Sequence, residues 1–445
     1  MDTKDIFLTP IYLLFIYLGA YLLRNRVANK TIRRYFIPAL TVKIIGALAL
    51  GLIYQFYYGG GDTFNFFRDS KVIWEAFLNS PFKALGIIFA DGGHHSEIYE
   101  YTRRIYFYID RQTFHVIRVA GFFGMFTFQT YSLIGICFAL CCFSGMWAMY
   151  KVFLDCYPKL HRRLAYAVFF IPSVFFWGSG LLKDTLTLGA LGWLFHAFYF
   201  GLIKRRSLVV NISVLLVAII IIQAIKVYIL LCFLPAAFFW IFMEYRAGIR
   251  SPALRFVSLP FIFAISIPVS YQAIIKVTED SVLYQLDNIT ATTKTTADWL
   301  KAVSTQQGGS VYSLGEFDGT WTNMLAKAPA ALNASLYRPY LWEAKNPVML
   351  LSAIEAAFFL FLSLKILIQI KLARLGNIIS TQPILLFCLI FSLTFSFAVG
   401  VSSYNFGTLV RYKIPMMPFF LAFLYIVQSQ AVNKPKKARR LAVTE

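Results

Sequence analysis

Long apolar runs, cut by short basic segments and by two polar stretches, set the pattern of this chain. A helix needs about 20 mostly apolar residues to cross a bilayer. Read in order, the runs predict spans at about Ile6–Leu23, Phe36–Tyr57, Gln129–Tyr150, Leu164–Gly180 and Thr185–Ile203. Ser207–Glu244 is long enough for two spans with a turn near Lys226, and further runs follow at Phe256–Ile275, Pro347–Ile370, Pro383–Gly400 and Ile414–Gln428. The expected fold is all-α: a polytopic transmembrane bundle of about eleven spans forming a single integral membrane domain over 1–445. The runs are continuous rather than alternating, which excludes a membrane β-barrel.

Composition agrees. Charged residues make up 14% of the chain, against about 25% in soluble domains, and the mean hydropathy is +0.65. The net charge of +21 concentrates in short segments between spans: Arg24–Arg34, Lys151–Arg163, Lys204–Arg206, Lys371–Arg374 and the tail 429–445. That is the positive-inside pattern, so these segments are expected in the cytoplasm. The charge reads as topology, with no nucleic acid as partner. Lys434–Arg440 is also suited to anionic membrane lipid. Asp2 and Asp5 precede the first run and Arg24 and Arg26 follow it, the reverse of a cleavable signal peptide. The expectation is a multi-pass protein of a bacterial inner membrane, N-terminus outside and C-terminus cytoplasmic. The six cysteines lie mostly within apolar runs without a CxxC pair, and read as small core residues.

The two polar stretches, 58–128 and 276–345, fall on the outer side in this scheme. The first opens with Gly59–Ser70, GGGDTFNFFRDS. Its glycines allow backbone conformations closed to other residues, and they deliver Asp62 to the water–lipid boundary. Phe64, Phe66, Phe67 and Trp74 suggest a helix lying in the interface, a depth aromatic rings prefer. His115–Phe128 reads as a second helix on or dipping into the membrane. Asp62 followed by Thr63 also fits ordinary N-cap chemistry.

Three polar constellations fall on this outer side. One is Asp62 and Asp69 with Asp91, His94, His95 and Glu97, groups able to bind a divalent cation or move protons. Another is Lys183–Asp184, where an acid at a helix start is favoured by the helix dipole. Asp62 and Asp184 together suit either a shared metal or a division into base and orienting group. The third runs from Tyr404 to Pro415 and carries Arg411, Tyr412 and Lys413. Basic residues are sparse on this side, and a guanidinium binds phosphate bidentately with an adjacent ammonium adding charge. Arg411 is expected to face a wet cavity. Glu355 lies inside a span, where ionisable residues are rare, with Lys365 as a nearby partner.

An acid in the first large outer loop, an amphipathic stretch after it, a second acid between later spans and an Arg-Tyr before a Pro-containing last span resemble the GT-C superfamily. These are multi-span glycosyltransferases that use polyprenyl-phosphate sugars. The resemblance implies that Asp62 activates the acceptor or orients the donor, and that Asp184 is the second acid, which in some members joins it at a divalent metal. It implies that Arg411 holds the donor's lipid phosphate, with Tyr412, Lys413 and Lys183 beside it. Asp69, His94, His95, Arg338 and Glu343 would border the site. The partners would be a lipid-linked sugar and a glycan, lipid or protein acceptor. Two departures stand out. No second acid adjoins Asp62, and one extra span precedes the loop, which leaves room for a polysaccharide polymerase or ligase. A transporter or flippase of lipid-linked glycans is the reading from another class. It needs polar residues through many spans, and Glu355, Gln223 and Lys226 are the few apparent ones.

Overall fold

The computed structural model describes residues 2–247, 268, 271–276, 278, 288–306 and 310–432. Among these the chain is helical, with an isolated bridge between Val311 and Asn405 in place of any sheet. The first half holds α1 (Thr3–Val27), α2 (Arg33–Phe56), α3 (Asp62–Asn79), α4 (Pro81–Phe89), α5 (Tyr99–Thr102) and α6 (Arg111–Phe126). Then come α7 (Tyr131–Cys156), α8 (His161–Phe169), α9 (Pro172–Trp177), α10 (Lys183–Ala197), α11 (Leu208–Lys226) and α12 (Tyr228–Ala247). The second half holds α13 (Ile289–Gln306), α14 (Trp321–Ala326), α15 (Ala328–Tyr337), α16 (Pro347–Gln369), α17 (Leu372–Ser380), α18 (Pro383–Ser403), α19 (Phe406–Tyr412) and α20 (Met417–Val432).

Eight of the described helices are long and apolar enough to cross a membrane, or up to nine if α19 and α20, bent by 69°, count as one span. The difference from about eleven has two local sources. The run Leu164–Gly180 is two short helices, α8 and α9. Pro172 forces Ile171 into extended backbone (φ −73, ψ 121), which ends one helix and starts the next. The run Phe256–Ile275 lies mostly outside the described residues, as does the tail Lys434–Arg440.

The polar stretches are built into the bundle rather than looped out of it. In α3 the buried positions 63, 66, 69, 70, 73 and 76 form one helical face against α6. Gly121 of α6 presses on the Ile73 side chain. Phe64 stacks on Tyr131 at 4.6 Å, so the aromatics expected at the lipid interface point inward. Leu78, Phe82 and Phe89 are among the exposed apolar residues of this stretch. In the second stretch α15 packs along α18, where the Ala331 backbone meets Gly400 with no room for a Cβ.

Helix direction sorts the molecule into two ends. Asp5 caps the start of α7 by accepting from the Ser132 N–H at 2.7 Å, and Thr63 meets Tyr131 at 2.8 Å. These contacts join the starts of α1, α3 and α7. The basic segments gather at the opposite end. There Tyr35 reaches His161 at 2.9 Å, Lys204 lies 3.9 Å from Asp155, and Arg374 donates to the Gln430 carbonyl at 3.1 Å.

Candidate functional site

Gly59, Gly60 and Gly61 all have positive φ (67°, 139° and 128°), and a Cβ on Gly61 would lie 2.8 Å from the Tyr54 ring. Only glycine takes that turn without strain. Gly61 is the N-cap of α3, so Asp62 is the first helical residue and not the cap. Its carboxylate is therefore free to reach outward.

It reaches Arg411. The guanidinium donates from Nη1 to Asp62 Oδ2 at 2.8 Å and from Nε to Asp184 Oδ2 at 2.8 Å. Asp184 Oδ1 accepts from Lys226 Nζ at 2.5 Å. Four charges of alternating sign thus form one chain: Asp62, Arg411, Asp184, Lys226. Side-chain exposure falls from 54% at Asp62 to 14% at Arg411 and 1% at Asp184, with Lys226 at 8%. The outer acid is wet and reactive in principle. The inner one is held dry between two cations, which compensate the cost of burying it.

A cavity of about 790 Å³ opens beside Asp62 and Arg411. Tyr54, Tyr58, Trp177 and Phe406 supply aromatic walls, and Ser310, Asn346, Asn405 and Thr408 supply uncharged hydrogen-bonding groups. Flat apolar faces with amides and hydroxyls suit a neutral polyhydroxylated ligand.

The sequence expectations fare unevenly. Asp62, Asp184 and Arg411, from three distant segments, do converge. Arg411 lines the cavity, and its guanidinium is at the same time wedged between the two acids. Lys413 does not join it. Residues two apart on a helix point to opposite sides, and Lys413 is buried with Nζ 3.2 Å from the Arg338 carbonyl. Tyr412 lies between them with its ring 4.6 Å from Lys226 Nζ. Lys183 stands 3.9 Å from Asp110 and lines a different cavity.

Asp69 is two helical turns from Asp62, about 10 Å along the axis. It is buried, and it holds the Phe107 N–H at 3.0 Å. Burial pushes its carboxyl above the ordinary range, against that hydrogen bond and the nearby Arg68, which pull it down. His95 pairs with Asp91 at 2.9 Å and His94 packs on Tyr99, and neither lines the cavity. Arg338 and Glu343 form a forked ion pair, Nε to the two carboxylate oxygens at 3.0 and 3.1 Å. Burial pushes Glu343 up, but Arg338 and the Tyr340 N–H outweigh it and hold its carboxyl below the ordinary value. The pair sits one layer behind the cavity, with Arg338 5.0 Å over Phe406.

The donor set does not fit a divalent metal. Both Asp184 oxygens already accept from cations, and Arg411 stands between the two acids. Among the described residues no three His, Cys, Asp or Glu side chains are grouped as a metal site requires.

Two residues carry more than the sequence suggested. Lys226 read as a turn marker, yet it completes the charge chain. Lys43 sits within the run Phe36–Tyr57, where an ionisable side chain is itself a signal. Its ammonium is buried and donates to the carbonyls of Gly178 at 2.8 Å and Val174 at 3.4 Å, at the C-terminal end of α9. The other end of α9 belongs to Glu355, which accepts from the Ser173 N–H at 2.8 Å and the Ser173 hydroxyl at 2.7 Å. Lys365 is not its partner; that ammonium lies over Phe361. A six-residue helix is thus clamped by an acid at its N-terminus and a base at its C-terminus, the signs the helix dipole favours. It carries Trp177 to the cavity wall and leads into the turn before Asp184.

Comparison of the chain with family models, with curated proteins and with solved structures returned no match.

Proposed function

We propose that this protein is a membrane glycosyltransferase that moves a sugar from a polyprenyl-phosphate donor to an acceptor on the outer face of the membrane. The observation that carries the reading is the Asp62–Arg411 pair, 2.8 Å apart, at the edge of a cavity walled by aromatic rings, amides and hydroxyls. The sugar rests against Tyr54 and Trp177. Asp62 takes the proton from the acceptor hydroxyl, whose oxygen bonds to the anomeric carbon. The bond from that carbon to the phosphate oxygen breaks, and the phosphate leaves with the electron pair. Arg411 offsets the charge it gains, an interaction stronger in the transition state than in the ground state. No step passes through a metal.

A polymerase or ligase of polysaccharides would use the same chemistry with a glycan acceptor. A flippase is less well supported. The ion chain lies at one end of the bundle, and Lys43 and Glu355 are occupied by the ends of α9. The basic segments at the opposite end support an outward placement of the site.

The test is transfer by purified protein from a labelled polyprenyl-linked sugar, wild type beside Asp62→Asn. Transfer that is lost in the variant supports the reading, and equal turnover in both removes Asp62 as the base. Sidedness is read separately: a cysteine at Ser310 should label with a membrane-impermeant reagent in intact cells, and labelling only after the membrane is opened reverses the orientation.

A further inference from the structure

The first half of α1 is tied to its neighbours by hydrogen bonds. Thr9 meets the Ser132 hydroxyl at 2.6 Å, the Tyr12 hydroxyl donates to the Phe126 carbonyl at 2.7 Å, and that of Tyr17 donates to Thr41 at 2.9 Å. The second half instead lines a groove of about 390 Å³ shared with α2, α7 and α10. A Cβ on Gly19 would meet nothing within 4 Å. Most of the groove wall is apolar. Its polar groups are Lys151, Trp147 and His196, beside a Ser144–Trp193 pair already joined at 3.0 Å. Gly192 presses on the Gly145 backbone, so His196, one turn on, lies level with the part of α7 between Trp147 and Lys151. Trp147 is 5% exposed, and neither its indole N–H nor His196 Nδ1 has a hydrogen-bond partner among the described residues. No acid lines the groove with Lys151. Asp155, one turn further along α7, accepts from the Tyr199 hydroxyl at 2.7 Å and pairs with Lys204 at 3.9 Å and Arg206 at 4.0 Å.

We propose that this groove holds one anionic glycerophospholipid of the adjacent leaflet as a structural component that packs the second half of α1 onto α7. The headgroup anion sits on Lys151, the ester carbonyls accept from Trp147 and His196, and an acyl chain runs along the apolar wall beside Gly19. Basic pockets between membrane helices on the side where basic segments gather bind such headgroups. The unpartnered N–H of Trp147 decides the lipid class. It lies one turn, about 6 Å, from Lys151 along α7, toward the bundle interior. A glycerophospholipid carries carbonyl acceptors below its phosphate, whereas a prenyl phosphate carries none. The groove also lies far from the proposed transfer site. Lys151 is about 30 Å along α7 from Tyr131, the residue that meets Thr63 beside Asp62, and the groove shares no lining residue with the Asp62 cavity. The site therefore stands independently of glycosyl transfer.

The experiment titrates the purified full-length protein, stripped of lipid in a neutral detergent, with dioleoyl phosphatidylglycerol, dioleoyl phosphatidylcholine and inorganic phosphate. Bound lipid is read by native mass spectrometry. Wild type should take up one phosphatidylglycerol about tenfold more tightly than phosphatidylcholine, the factor expected for a hydrogen bond to a charged group, and inorganic phosphate should not displace it. Lys151→Gln should remove that preference by weakening phosphatidylglycerol about tenfold while leaving phosphatidylcholine unchanged. Trp147→Phe, which deletes the indole N–H, should weaken both lipids about fivefold. Gly19→Phe, which fills open space in the groove, should weaken both about tenfold or more. Lys159, exposed and outside the groove, supplies the control: Lys159→Gln should bind like wild type. Lys151 and Gly19 have no close partner to lose, so their variants should keep the wild-type melting temperature in detergent. Unchanged phosphatidylglycerol affinity in Lys151→Gln or in Gly19→Phe overturns the site. An equal loss in Lys159→Gln reduces it to diffuse attraction, and displacement by inorganic phosphate overturns the lipid as ligand. Asp62→Asn should bind phosphatidylglycerol like wild type, so failure here and failure of glycosyl transfer are read apart.

Discussion

Two buried ionic groups meet within this bundle, and they are built on opposite principles. Around α9 the charges hold backbone and uncharged side chains: Glu355 holds Ser173, and Lys43 holds Gly178, Val174 and the Cys142 thiol. In the chain from Asp62 to Lys226 every charge meets another charge, and its outer member is left half in water. Charges that satisfy backbone fix a shape and have nothing left to offer a ligand. Charges that satisfy one another hold a balance that an arriving ligand can disturb. The first arrangement is architecture, the second a candidate for chemistry.

The sharpest break between them is expected at Asp62. Asp62→Asn should lower transfer by about 10²–10⁴-fold, the usual contribution of a general base, while the melting temperature stays near wild type because the residue is exposed. Arg411 joins both worlds. Arg411→Ala should slow transfer by about 10²–10³-fold, as loss of one charge-stabilising donor does elsewhere. It should also destabilise the fold by about 1.5–3 kcal/mol, since Asp184 loses a charged hydrogen bond. Arg411→Lys should recover only part of each, because the fork that spans two acids is gone. Transfer and thermal unfolding on the same preparations separate the two losses.

The clamp should behave in reverse. Glu355→Ala or Lys43→Met leaves buried backbone groups of α9 unpaired, at about 1–3 kcal/mol for each group. The yield of folded protein and its melting temperature should fall, while turnover per folded molecule falls far less than in Asp62→Asn. A Glu355→Ala protein that melts like wild type would dissolve the distinction.

The smallest effect is expected at Asp69, on the same helix as Asp62. Burial raises its carboxyl, so the folded protein holds that proton more tightly than the unfolded chain does. Its contribution to stability is then greatest in acid and is lost as pH rises from the ordinary carboxylate value through the raised one. An amide oxygen can still accept from the Phe107 N–H. Asp69→Asn should therefore transfer normally and match or exceed wild-type stability at neutral pH, with the difference vanishing in acid. Unfolding midpoints across that pH window show it.

Much of this was legible from the chain. Apolar runs located the spans that the structure describes as single long helices, and even the tight turn at Lys226 between α11 and α12. That Asp62, Asp184 and Arg411 share one side was expected from alternating helix direction, since each sits where a run meets a polar segment; their direct contact was not. What escaped was angular and pairwise. Arg411 and Lys413 look like neighbours in sequence but diverge around a helix. The aromatics of α3 read as lipid-facing until α6 supplied a surface for them. The partner of Glu355 could not be read from its own helix, because it is a backbone N–H 182 positions away. Pro172 did mark the break between α8 and α9, yet apolarity on both sides let the run pass for one span.

That break has a consequence for how the protein is made. A helix of six residues is about 9 Å long, far short of the ~30 Å hydrocarbon layer. It cannot be threaded into a membrane as an independent unit. Its C-terminal support, Lys43, is synthesised early, but its N-terminal support, Glu355, emerges only when most of the chain is complete. Until then the Ser173 N–H has no acceptor from the second half of the protein, and Arg411 is later still. A nascent chain halted before residue 355 would hold the first spans in place with a half-anchored segment among them. The site closes when the two ends of the polypeptide meet around its middle.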